Sequence, residues 1–174
     1  MTFSVFKLIL GGDVNYIAKS IDAGIDSRHT RRRITMEEDF DVVRNILYFI
    51  YTNRVTFSTL NIEENDGTPK VCDADDIYGS AHRLDLEDLK VKSQRFLKQT
   101  CNRMNITERV FSKFSLLYVE IDKIYSEFFQ NHWPEIRETS EFAEYFEHLE
   151  VGSDLEETRR IFRRFRELMT RANF

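Results

Sequence analysis

The chain has little of what breaks or staples a fold. Its 174 residues include two prolines, six glycines and two cysteines. With so few breakers, long uninterrupted helices are expected. Cys72 and Cys101 stand in no recognisable spacing, which argues against a disulfide scaffold and fits a reducing cytosolic or nuclear compartment. No apolar run approaches the roughly twenty residues that cross a bilayer. The N-terminus shows no basic region followed by a long apolar stretch, so no signal peptide is expected. Neither charge sign dominates: 25 Lys and Arg stand against 30 Asp and Glu, a net charge of −5. That balance does not by itself point to a nucleic-acid partner.

Catalytic and metal chemistry is equally thin. His29, His82, His132 and His148 are scattered, and neither His-Glu-x-x-His nor Cys-x-x-Cys occurs. Gly11-Gly12 lacks the further glycines and the lysine of a phosphate-binding loop, so a helix break explains it better. Cys101 reads more readily as a small core residue than as a nucleophile paired with a distant histidine. The acidic segment from Glu63 to Asp76 could attract a cation, but its oxygens do not follow EF-hand spacing. Neither an enzyme nor a cofactor is expected.

What is abundant is aromatic side chain, with fifteen Phe and seven Tyr. Val5, Leu8, Ile9, Tyr16, Ile17 and Ile21 read as helix interrupted at Gly11-Gly12. Arg33–Met36 reads as a short strand with the basic run Arg31–Arg33 at its edge, where charge discourages edge pairing. Phe40, Val43, Leu47, Ile50 and Tyr51 recur at three and four residues, which predicts an amphipathic helix over about 39–52. A loop is expected over 58–72, around Gly67 and Pro69. Asp73 can start a helix that buries Ile77, Ala81 and Leu84. Asp85 can cap the next, with Leu86, Leu89, Phe96 and Leu97 inward. Asn105-Ile106-Thr107-Glu108 resembles a capping box and opens a run with Val110, Phe111, Phe114 and Leu117. A helix is expected over 121–132, with Pro134 in the first turn of the following one.

Ser153-Asp154-Leu155-Glu156 is a further capping box, for a last helix over about 154–171. Leu155, Phe162, Phe165, Leu168 and Met169 form its expected apolar side. Arg159, Arg160, Arg163, Arg164 and Arg166 are assigned to the other. Either the stripe packs on preceding helices with the arginines solvated, or the helix is itself a partner-binding element. RNA contact is a third reading, although Glu156, Glu157 and Glu167 dilute the charge.

Phe49-Ile50-Tyr51-Thr52-x-x-Val55, followed without a gap by Ala74-Asp75-Asp76-Ile77, Ala81, Leu84, Leu86 and Leu89-Lys90-Val91, resembles the BTB/POZ family. The likeness is closest to the speckle-type, MATH-associated branch. Thr2–Leu10 is similar to the second strand and first helix of that family, and Val14-Asn15-Tyr16-Ile17 stands where Ser-x-Tyr-Phe is usual. Residues 105–149 resemble the BACK-type helical extension that follows BTB domains. The resemblance implies a mainly α fold: a BTB-like helical cluster with a small residual β-sheet, then helices. The expected division is a BTB-like domain over 1–103 lacking the first strand, BACK-like helices over 104–150, and a basic amphipathic helix over 151–174.

By resemblance, the function is protein–protein interaction. The expected partner is either the cullin scaffold of a ubiquitin ligase or another BTB chain, in the cytoplasm or nucleus and with no membrane. The alternative is a non-ligase scaffold or a transcription- or nucleic-acid-associated BTB protein. The expected interface positions are Ile25, Asp26, Ser27, Tyr51, Asn53 and Leu84, with Tyr51 equally readable as core. Several depart from the family pattern. Ile25-Asp26-Ser27 lacks the glutamate of the cullin-contact motif, Asn53 replaces a glycine, and Leu84 occupies a position that is often aromatic. The segment exchanged in family homodimers has no counterpart before Phe3.

Overall fold

The computed structural model describes residues 39–57, 72–152 and 154–171. The helix expected over 5–21, the strand over 33–36, the basic run before it and the loop over 58–71 lie outside the described residues. The chain divides into two compact units, Met1–Phe96 and Leu97–Phe174. The described residues are mainly α-helical, as expected; their extended pairing is a single parallel bridge between Phe57 and Cys72.

In the first unit, α1 (Phe40–Thr52) begins at Asp39, whose Oδ1 accepts from the Asp41 N–H at 2.9 Å. This side-chain cap satisfies a donor that the first turn would otherwise leave unpaired. The buried face is turned from the expected one, although Val43 is buried and Ile50 packs on the core as expected. Val42, Val43, Asn45, Ile46 and Phe49 point inward, while Phe40 and Tyr51 are exposed. Asn45 is the reason. Its amide donates to the Asp41 carbonyl at 2.9 Å and to Cys72 Sγ at 3.0 Å, so a polar residue occupies a core position and disguises the register.

Helix α2 (Ala74–Arg83) follows Asp73, which makes no side-chain cap bond. Ile77, Ala81 and Leu84 are buried, as the spacing predicts. Asp85 does not cap the next helix. It takes a left-handed conformation, φ 59°, just past the end of α2. The Leu86 N–H donates to the Ala81 carbonyl at 2.9 Å and the Asp85 N–H to the His82 carbonyl at 3.4 Å. This is the Schellman pattern, with an aspartate where glycine is usual. The turn brings Leu86 back onto Ala81 and launches α3 (Glu87–Gln99). Val42, Ile46, Phe49, Cys72, Ile77, Ala81, Leu84, Leu86 and Leu89 form the core of this unit, with Ile50, Val55 and Phe57 packed against it.

The second unit holds α4 (Ile106–Phe111), α5 (Lys113–Leu117), α6 (Val119–Asn131), α7 (Trp133–Ile136), α8 (Ser140–Gly152) and α9 (Leu155–Arg171). Asn105 precedes α4 without capping it by a side-chain bond. Its Oδ1 accepts from the Asn102 N–H and its amide donates to the Thr100 carbonyl, closing the loop before the helix. The run expected to continue through Leu117 breaks at Ser112. There the hydroxyl accepts from the Ser115 N–H at 3.1 Å and starts a new helix, and Leu117 ends up exposed. Pro134 sits in the first turn of α7, as expected.

In this unit the aromatic side chains pack on one another. Phe111 meets Phe129 and Phe146 edge-on and stacks with Tyr145, while Trp133 packs against Phe129, Phe142 and Phe165. Ring centroids lie 5.3–5.9 Å apart in these pairs, the range in which edge and offset contacts add to simple burial.

Helix α9 corrects another expectation. Its arginines are not all solvated, because Ile161, Arg164 and Leu168 make up the buried edge while Leu155 and Phe162 are exposed. Arg164 ion-pairs with Asp122 of α6 and donates to Ser126 Oγ at 2.7 Å. Arg160 donates to the Phe111 carbonyl at 3.2 Å, and the Gln130 amide donates to the Leu168 carbonyl at 2.8 Å. The helix is therefore held to α4 and α6 by polar as well as apolar contacts.

Candidate functional site

The end of α1 is built around a residue in an unusual backbone conformation. Asn53 is left-handed at φ 55°, and its N–H donates to the Phe49 carbonyl at 2.7 Å. Asparagine tolerates this region better than most side chains. Lys92 of α3 holds the turn in place. Its ammonium donates to the Asn53 carbonyl at 2.7 Å and to Asn53 Oδ1 at 2.9 Å, and lies 4.9 Å above the Phe49 ring. Thr52 finishes the helix by donating to the Tyr48 carbonyl and accepting from the Arg54 N–H.

Beside this turn lies an open cleft of about 380 Å³, lined by Phe49, Ile50, Asn53, Asp85, Leu86, Glu87 and Asp88. Phe49 and Leu86 are its buried apolar members, and Asp85, Glu87 and Asp88 stand exposed as an acidic rim. An apolar floor with a one-signed rim suits a protruding apolar or basic side chain of another protein, since contacts of this kind combine an apolar centre with a polar edge.

The expected interface positions fare differently. Tyr51 is 49% exposed, so it belongs to the surface and not to the core. Asn53 is exposed and lines the cleft. Leu84 is 1% exposed and sits in the core of the first unit, where no partner can reach it without rearrangement. Ile25, Asp26 and Ser27 lie outside the described residues. Tyr51 and Asn53 are thus neighbours at one end of α1, and Leu84 faces away from solvent. Sequence reasoning missed Lys92 and the acidic rim. The only available signal for the rim was the alternation Asp85-Leu86-Glu87-Asp88-Leu89, which places carboxylates outside and leucines inside.

Among the described residues, Cys72, Asp76 and Tyr145 are shifted. Burial pushes the Cys72 thiol up to about 11, with nearby Asp41, Asp76 and Asp39 adding to the effect and the Asn45 amide opposing it. The Asp76 carboxyl is raised by burial and by Asp73 and Asp39, against the pull of Arg83. Burial likewise takes the Tyr145 phenol up to about 12. Each shift favours the neutral form. Among the described residues no three His, Cys, Asp or Glu side chains converge as metal ligands, and no helix is long and apolar enough to cross a membrane.

The BTB/POZ domain model matches residues 1–101, more than half of the chain. The chain belongs to the BTB/POZ family. BTB/POZ domains are protein–protein interaction modules. No curated protein matches the chain. The α1 turn, the α2–α3 hairpin and the cleft between them all lie inside the matched BTB/POZ residues.

Proposed function

We propose that this BTB/POZ chain is a non-enzymatic adaptor that docks a protein partner at the end of α1, and that the partner is the cullin scaffold of a ubiquitin ligase. The observation that carries the reading is an exposed Tyr51 next in the chain to Ile50, which with Asn53 lines a cleft, Asn53 being fixed by Lys92. A preorganised surface loses little freedom on binding, which is where a standard interface gains affinity. In this reading residues 1–103 are the BTB-like domain of the speckle-type branch, 104–150 a BACK-like extension and 151–174 a basic amphipathic helix packed on it. The setting is cytoplasmic or nuclear.

A second reading has an observation of its own. Leu84 stands where the family often presents an aromatic to cullin, and here it is enclosed in the core. That favours a scaffold outside the ligases, including a transcription-associated one, that uses the same cleft for a different protein. Light scattering of the chain alone and mixed with a cullin N-terminal domain separates the two. A mixed species at the summed mass supports the adaptor. Unchanged masses leave the scaffold reading, and a doubled mass of the chain alone makes a second copy the partner.

A further inference from the structure

We infer that the outward face of α9 is a docking surface for an acidic amphipathic helix of another protein. Five of the six arginines of α9 divide into two sets. Arg160 and Arg164 are committed inward, to the Phe111 carbonyl and Glu157 in one case and to Asp122, Ser126 and Glu167 in the other. Arg159, Arg163 and Arg166 are exposed, and their guanidinium groups have no hydrogen-bond or ion-pair partner among the described residues. At 3.6 residues per turn these three share about a third of the helix circumference with Leu155 and Phe162. Leu155 is 62% exposed and Phe162 45% exposed.

Arg159 and Arg163 are one turn apart, as are Arg163 and Arg166. Like charges at this spacing weaken an isolated helix. The stripe therefore keeps a repulsive arrangement around two unburied apolar side chains. An incoming helix with carboxylates flanking an apolar seam would relieve both. Arginine and aromatic residues are the types enriched in protein interfaces. The seven-residue step from Leu155 to Phe162 is the spacing at which two packed helices present successive anchors. A nucleic acid fits less well. Glu156 and Glu167 are exposed along one edge of the stripe, where they would meet phosphates, and the chain carries a net charge of −5. A second copy through this same face would set arginine against arginine. This surface is independent of the cleft beside α1, so either can fail without the other.

The test is fluorescence anisotropy of the full chain with three labelled probes: a synthetic amphipathic helical peptide with leucine on one face and flanking glutamates, the same peptide with lysine for glutamate, and a single-stranded oligouridine. The acidic peptide is expected to bind at least about tenfold more tightly than the lysine peptide, because complementary charge sets selectivity. Phe162→Ala is expected to weaken it by about tenfold, as loss of a central anchor does, with Leu155→Ala a second probe of the same face. Combined Arg159→Glu and Arg163→Glu should abolish the preference for glutamate. Arg159, Arg163 and Leu155 are exposed, whereas the Phe162 ring also meets Phe146 at 5.8 Å; Trp133 fluorescence unchanged in every variant shows that the second unit stays folded. Equal binding of the two peptides, or binding of neither, overturns the inference. So does oligouridine binding that depends on the same arginines, or self-association lost in Phe162→Ala.

Discussion

Removing Asp122 should destabilise the second unit far more than an ordinary salt bridge would. The Arg164 side chain is 8% exposed and that of Asp122 25% exposed. In Asp122→Ala, Arg164 keeps Ser126 and the more exposed Glu167, while its main counter-charge is gone. Breaking a buried pair from one side costs about 3–5 kcal/mol, because a desolvated charge is left uncompensated. The remaining contacts place this case near about 3 kcal/mol. Arg164→Met should cost less, about 1–2 kcal/mol, since the stranded carboxylate can reach water. The double variant Asp122→Leu with Arg164→Met should return to within about 1 kcal/mol of the parent, because no charge remains to desolvate. Urea unfolding followed by fluorescence reads this directly. The single tryptophan, Trp133, packs on Phe129, Phe142 and Phe165 and reports on this unit. With m near about 2 kcal/mol/M, the midpoint of Asp122→Ala falls by about 1.5 M. The exposed Arg137–Glu138 pair is the control, with side chains 54% and 73% exposed and an expected effect of about 0–1 kcal/mol. If Asp122→Ala does no more than Glu138→Ala, the buried-pair reasoning is wrong.

Asp85→Gly should stabilise the first unit by about 0.5–1 kcal/mol, since glycine takes the left-handed turn without a Cβ penalty; a lower denaturation midpoint would mean that the Asp85 side chain matters more than its backbone. Cys72 should resist iodoacetamide at pH 8 until the chain is unfolded, because burial pushes its thiol up to about 11 from its ordinary 9.0. The stability tied to that neutral thiol is fully present below pH 9.0 and is lost as pH rises through about 11. Cys72→Ala should therefore flatten the alkaline limb of the stability profile, and an unchanged limb would count against the burial. Lys92→Met should cost about 1 kcal/mol by freeing the Asn53 turn, seen as faster hydrogen exchange at the C-terminal end of α1; equal exchange would show that the turn does not need the lysine.

The helices were legible because apolar residues at three and four spacing must share a face, and the capping residue Asp39 marks its helix in one dimension. What could not be read was which way α1 and α9 are turned. In α1, Asn45 fills a core position by bonding to Cys72, 27 residues away, so the polar pattern misstated the face and the reading of Tyr51 as core fails. In α9, Arg164 fills the same role between Ile161 and Leu168, and only its partner Asp122 on another helix reveals why. Asp85 was read as a cap because aspartate prefers that position, yet the pull of Leu86 into the core made it the left-handed residue of a Schellman turn. The family likeness pointed to Tyr51 and Asn53, and both are exposed at the end of α1. Lys92 carries no motif, and its contact with Asn53 spans 39 residues. Leu84 was placed at an interface by likeness alone, whereas its helical position one turn after Ala81 already pointed inward.

The central claim is that the cullin scaffold of a ubiquitin ligase docks at the end of α1. Titration calorimetry of the full chain with a cullin N-terminal domain, for the parent and for Tyr51→Ala, tests it most directly. The account predicts a saturable heat at one-to-one stoichiometry, weakened by about tenfold in Tyr51→Ala, as loss of an aromatic anchor does. Saturable binding that is indifferent to Tyr51, or no binding at all, would contradict it.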